Sequence, residues 1–162
     1  IEQMESIGYG MTNAISEGRV MVLSRYGTVA DARQDVTLQE VLSSPAIPAA
    51  DVIVLDSASS LMPEGGTKAD HHTLIQQLRK IASDGRSFML CADPEEMDHT
   101  LLHTLRASAE VVLDLDNAMI GGEIKRNIII TRFLRAAGPI QTSIGWRVEP
   151  GMGFIVDITA VS

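Results

Sequence analysis

Cysteine is almost absent from this sequence: Cys91, in the apolar run FMLCA, is the only one, so no internal disulfide can form. A lone buried thiol suits a reducing compartment, and the cytoplasm is the expected location. Positive charge is also scarce. Thirteen Lys and Arg stand against 21 Asp and Glu, a net charge of −8, and no Lys/Arg block interrupts the acidic balance. Such a surface repels nucleic acid and anionic lipid as a whole, which makes nucleic acid an unexpected partner. Long apolar runs are missing too: none approaches the ~20 residues of a membrane-spanning helix, and the opening residues lack the basic-then-apolar plan of a secretory signal.

What is present is an ordinary globular composition, 45% apolar and 21% charged in 162 residues, enough for one domain with a proper core. The opening, IEQMESIGYGM, has no initiator Met and reads as if entered in mid-helix. Ile1, Met4 and Ile7 fall at helical spacing, with no capping residue before them. The expectation is a single domain over 1–162 that forms the C-terminal two-thirds of a longer one.

The stretch DVIVLDSASSL, Asp51 to Leu61, sets the central question. Four apolar residues bounded by polar ones fit a strand covered on both faces, and Asp56 then emerges at the carboxyl edge of a parallel sheet. In P-loop nucleotide-binding proteins an aspartate there helps hold Mg²⁺, while a Gly-rich loop ending in Lys cradles the phosphates. That loop, G-x-x-x-x-G-K-[ST], occurs nowhere in the chain; Gly65-Gly66 and Gly121-Gly122 lack the Lys-Ser/Thr ending. Only half of a nucleotide site is visible. Taken alone, Asp56 fits equally well as a carboxylate capping the loop after a strand, and Ser57, Ser59 and Ser60 as ordinary turn hydroxyls.

Along the chain, helical spacing from the opening residues fades at Gly8 and Gly10, a second short helix is expected over Thr12–Ser16, then a strand at RVMVLSR and a polar loop over 26–36. Thr37 can cap a helix ending before Pro45. After the Asp56 strand, Thr67 or Asp70 starts a helix with Leu74, Ile75, Leu78 and Ile81 on one face, closed by Gly85. SFMLCAD is the next buried strand, and Pro94-Glu95-Glu96 opens a helix carrying Leu101, Leu102 and Leu105. EVVLDLD, EIKRNIIITRFL, IGWRVEP and GFIVDIT read as strands, the last three without intervening helices. The class is α/β, a mostly parallel sheet flanked by helices with a C-terminal antiparallel extension.

Other acidic and imidazole pairs have plain readings. His99 and His103 share a helix face but lack a third ligand and the Glu of H-E-x-x-H, so they read as solvated. His71 and His72, as helix neighbours, point about 100° apart. Asp114 and Asp116 alternate on a strand and share a face, most simply its polar one. Asp93 ends a second buried strand and so can approach Asp56, although Asp-Pro also simply begins a helix.

The ending ITRFLRAAGPIQTSIGWRVEPGMGFIVDI, together with IEQMESIGYG and the DVIVLDSASSL strand, resembles the KaiC-like branch of the RecA-fold P-loop ATPases, and within it the archaellum accessory ATP-binding proteins. The resemblance runs the length of the chain. It implies ATP and Mg²⁺ as cofactors, with Asp56 holding the metal through water and Ser57 beside it at the nucleotide. It implies that the phosphate-binding loop and the acid that activates water lie upstream, so no catalytic residue is assignable here. Family members stack as rings with ATP at subunit borders, approached by a Lys-x-Arg pair; here the piece is FLR, with Arg135 matching and Phe133 in place of the Lys. Arg132 is one position off. The resemblance therefore implies nucleotide-dependent assembly with the archaellum motor ATPase and membrane platform, at the inner face of the membrane, with weak or no hydrolysis. A nucleotide-independent interaction domain and a KaiC-like signalling ATPase or kinase are the alternatives.

Overall fold

A computed structural model of the chain describes residues 2–23, 37–62 and 66–157. Helices α1 (Glu2–Ser6) and α2 (Met11–Ser16) are followed by α3 (Leu38–Leu42), β1 (Val52–Leu55), α4 (Lys68–Ser83), β2 (Ser87–Leu90) and α5 (His99–Ser108). Strands β3 (Val111–Ile120), β4 (Glu123–Phe133), β5 (Ser143–Glu149) and β6 (Gly153–Asp157) complete the order. The elements divide into two compact units, Ser24–Ala109 and Ile1–Leu23 with Glu110–Ser162.

In the first of these units β1 and β2 pair in parallel, Val52 opposite Ser87 through Leu55 opposite Leu90. The crossover between them is α4. Its start is set by Thr67, whose hydroxyl accepts from the Asp70 N–H while the Asp70 carboxylate accepts from the Thr67 N–H, a reciprocal capping box. Gly85, at φ +88°, turns the chain out of it. Thr37 and Glu40 cap α3 in the same way. Leu38, Ile47, Ile53, Leu55 and Ala58 form the buried core, with Leu74, Ile81, Phe88 and Leu90 packed against it.

Two expectations change here. Among the described residues the Asp56 strand is covered on one face: Ile53 and Leu55 are buried, whereas Val52 and Val54 are 61% and 55% exposed. The helix expected to open at Pro94 begins five residues later, at His99, because Asp98 caps it through the Leu101 N–H at 2.9 Å. Pro94–Glu96 is instead a turn, held by the Asp93 carboxylate accepting from the Glu95 N–H.

In the other unit β3–β4–β5–β6 form an antiparallel meander. The C-terminal strands are antiparallel as expected, and β3 joins them. The expected strand at RVMVLSR is not seen over 19–23: Met21, Val22 and Leu23 are about two-thirds exposed and pair with no described strand, which a strand requires. Ser24 and Arg25, and the loop expected over 26–36, lie outside the described residues. Between β3 and β4 the register shifts, Val112 facing Arg132 while Leu113 faces Ile130, so Thr131 is the extra residue of a bulge. Trp146 stacks on Phe154 across β5 and β6, with ring centroids 5.5 Å apart.

The α1 segment is tied to the β5–β6 turn. Gly151 N–H donates to Ser6 O at 3.3 Å, and Phe154 N–H donates to Tyr9 Oη at 3.0 Å. Gly8 has φ +95°, and a Cβ there would stand 2.8 Å from Gly151 O, so only glycine lets the two backbones approach.

Candidate functional site

A parallel strand delivers its last residue to the carboxyl edge of the sheet, and β1 and β2 end side by side there. Asp56 follows β1, and Cys91 to Asp93 follow β2. The two ends are stitched together by Cys91 N–H to Leu55 O at 2.9 Å and Ala58 N–H to Cys91 O at 2.6 Å. Around them opens a cleft of about 490 Å³, lined by Asp56, Ser57, Cys91, Ala92, Asp93, Pro94 and Glu96. Asp93 and Asp56 thus meet at one edge, as adjacency of parallel strands predicts.

Chemically the cleft is one-sided. Three of its side chains are carboxylates, one is a hydroxyl, and none of the lining residues is basic. It suits a cation and offers nothing to neutralise phosphate. Burial pushes the Cys91 thiol up from its ordinary range, and the negative charge of Asp56 adds to that. Cys91 is therefore held as a protonated thiol, a poor metal ligand and a poor nucleophile. Among the described residues no cluster of three or more His, Cys, Asp or Glu is arranged to hold a metal by itself. Magnesium does not need one, because it keeps several waters and takes one or two carboxylates together with nucleotide phosphates. The carboxylates and hydroxyl present have the donor chemistry that the metal side of Mg²⁺-ATP requires.

The serines after Asp56 contribute more than turn chemistry. Ser59 is buried, lies 2.5 Å from Ser57 Oγ, and donates to Glu96 Oε2 at 3.2 Å. Glu96 was hidden from sequence reasoning because Pro94-Glu95-Glu96 looks like a helix start; the Asp93 turn sends it to the cleft instead. Ser60 donates to Ser57 O at 2.9 Å and closes the turn.

Arg135 belongs to the other unit. It follows β4 with φ +60°, its side chain is largely exposed, and its guanidinium is paired with Glu110. The bulge at Thr131 puts Phe133 opposite Val111, on the same face as Leu113 and Ile130. Arg132 lies opposite Val112, on the face of Asp114, where its Nε is buried without a hydrogen bond. His99 and His103 are exposed, as expected. His71 is not: it is 4% exposed, and neither ring nitrogen has a hydrogen-bond partner. Asp114 accepts from Thr131 Oγ1, and Asp116 is exposed opposite Asn127.

A parallel β-α-β crossover with an acidic carboxyl edge, followed by an antiparallel β extension, is an α/β arrangement, and solved structures identify it as RecA/KaiC-like in fold. Superposition on the crystal structure of the flagellar accessory protein FlaH from Methanocaldococcus jannaschii gives a TM-score of 0.84 at 27% identity, covering 98% of this chain and 70% of that one. A KaiC-like protein from Pyrococcus horikoshii OT3 shares the fold, with a TM-score of 0.66 at 18% identity over 96% of this chain and 70% of that one. In sequence the whole chain aligns with the archaeal flagellar ATP-binding protein FlaH of Methanococcus voltae, 26% identical over 71% of that protein. The Methanocaldococcus jannaschii FlaH is 27% identical over 70% of its length. The resemblance to the archaellum branch of the KaiC-like proteins is thereby borne out. No family model matches the chain.

Proposed function

We propose that this chain is the C-terminal two-thirds of a single RecA/KaiC-like domain that binds Mg²⁺-ATP and lets the bound state gate assembly of an archaellum motor complex. The observation that carries the reading is Asp56 at the carboxyl end of β1, in a cleft of carboxylates and hydroxyls, within a chain that aligns end to end with two flagellar ATP-binding proteins. When bound, Mg²⁺ would offset the charge of the nucleotide phosphates. Asp56 would hold it through water with Ser57 beside it, and the phosphate-binding loop is not among the residues of this chain.

Binding is favoured over rapid turnover. The Lys of the subunit-border pattern is replaced by Phe133, and Arg135 is already engaged by Glu110. A ring of copies, with Arg135 at the border, would present a surface to the motor ATPase and the membrane platform at the inner face of the membrane. The nucleotide drives assembly only by the difference in its affinity for the two states.

Calorimetry with Mg²⁺-ATP tests this on two chains: this one, and a version extended upstream by at least one β-α-β unit, roughly 30 residues. Binding in the extended chain alone, weakened by Asp56→Asn, is expected. Unchanged affinity in Asp56→Asn removes Asp56 from the site. Absence of binding by a folded extended chain that contains a phosphate-binding loop leaves a nucleotide-independent scaffold.

A further inference from the structure

Ser59 is 7% exposed, and its hydroxyl has one proton to give. That proton goes to Glu96 Oε2, which accepts it at 3.2 Å. The contact between Ser57 Oγ and Ser59 Oγ at 2.5 Å is then left with one arrangement: Ser57 donates and Ser59 accepts. With its proton committed to Ser59, Ser57 meets every other neighbour as an acceptor only. Asp56, next in the chain and lining the same cleft, is an acceptor only as well.

Two neighbouring side chains that can only accept discriminate between ligands. They receive the water ligands of a hydrated divalent cation, all of which donate outward, and they repel a phosphate oxygen, which does not. We propose that Glu96 is a positioning residue that fixes the direction of the chain Ser57→Ser59→Glu96, and so keeps Ser57 beside Asp56 as an acceptor for the hydrated Mg²⁺ of Mg²⁺-ATP. The inference rests on the nucleotide reading above. Without the Glu96 carboxylate, Ser59 is released to donate to Ser57, and Ser57 is released to turn its proton into the cleft. Glu96 itself need not touch the metal.

The test is the magnesium-dependent part of ATP affinity in the full-length protein, read by calorimetry with Mg²⁺ and with EDTA. Glu96→Ala is expected to shrink the gain from Mg²⁺ by about threefold to tenfold, the worth of one hydrogen bond. Glu96→Gln keeps an acceptor oxygen for Ser59 and is expected to retain most of the gain. If Glu96→Gln loses as much as Glu96→Ala, Glu96 acts by its charge and the directional role is overturned. Should Glu96→Ala fail to fold, Ser59→Ala removes the same link and is expected to lose the same gain; a full gain in either variant also overturns the proposal. Wild-type protein with no magnesium-dependent binding is a different failure, since it removes the nucleotide reading itself and this inference with it.

Discussion

Tyr9 Oη accepts a hydrogen bond from the Phe154 N–H at 3.0 Å, across 145 positions of sequence. The contact joins the two phrases by which the chain resembles its relatives, IGYG near the start and VEPGMGF near the end. Tyr9→Phe is expected to cost about 1 kcal/mol of stability, the net worth of such a bond. Gly153→Ala is expected to cost more, because its Cβ would meet the Tyr9 ring at 2.7 Å and its φ is +77°. Thermal or urea unfolding of these two variants, of Tyr9→Ala and of Tyr9→Ala/Gly153→Ala checks this. In the double variant the steric share of the loss should vanish, leaving the two changes non-additive.

Acid should act on the start of α4. The Thr67 hydroxyl and N–H donate to the Asp70 carboxylate at 2.7 and 2.8 Å and hold its pKa below the ordinary 3.8. A depressed carboxylate stabilises the fold above the unfolded value, and that contribution is lost as pH falls through the lower folded value. The melting-temperature gap between wild type and Asp70→Ala is therefore expected to be constant from neutral pH down to about 3.8 and to close below it. A gap that widens in acid would contradict the assignment.

His71 is buried with both ring nitrogens unpaired, an arrangement that costs rather than contributes stability. His71→Leu, of similar volume, is expected to leave the unfolding free energy unchanged or raise it by up to about 1 kcal/mol. A loss of several kcal/mol would mean that the imidazole has a polar role.

Arg135 combines an exposed guanidinium with a left-handed backbone, a conformation that favours glycine. Arg135→Gly should leave melting temperature unchanged or slightly raised, because relief at φ +60° offsets loss of a surface ion pair. Arg135→Ala tests the border role. Sedimentation of the full-length protein with ATP should show smaller oligomers, and an unaltered distribution would remove Arg135 from the border.

Much of this protein was determined by local sequence. Helix ends follow from signals a few residues long, so Thr37 and Gly85 could be assigned on sight and the start of α4 narrowed to Thr67 or Asp70. Asp56 at the end of VIVL was legible because a strand's last residue always reaches the sheet edge. Tertiary structure decided what depends on neighbours distant in the chain. Val52 and Val54 are as apolar as Ile53 and Leu55, and only packing shows which pair is covered. Ser59 and Glu96, 37 residues apart, become partners only because parallel pairing of β1 and β2 brings both turns to one edge. No periodicity records that meeting, since a hydrogen bond between two loops depends on where the chain returns, which the register of the sheet alone specifies.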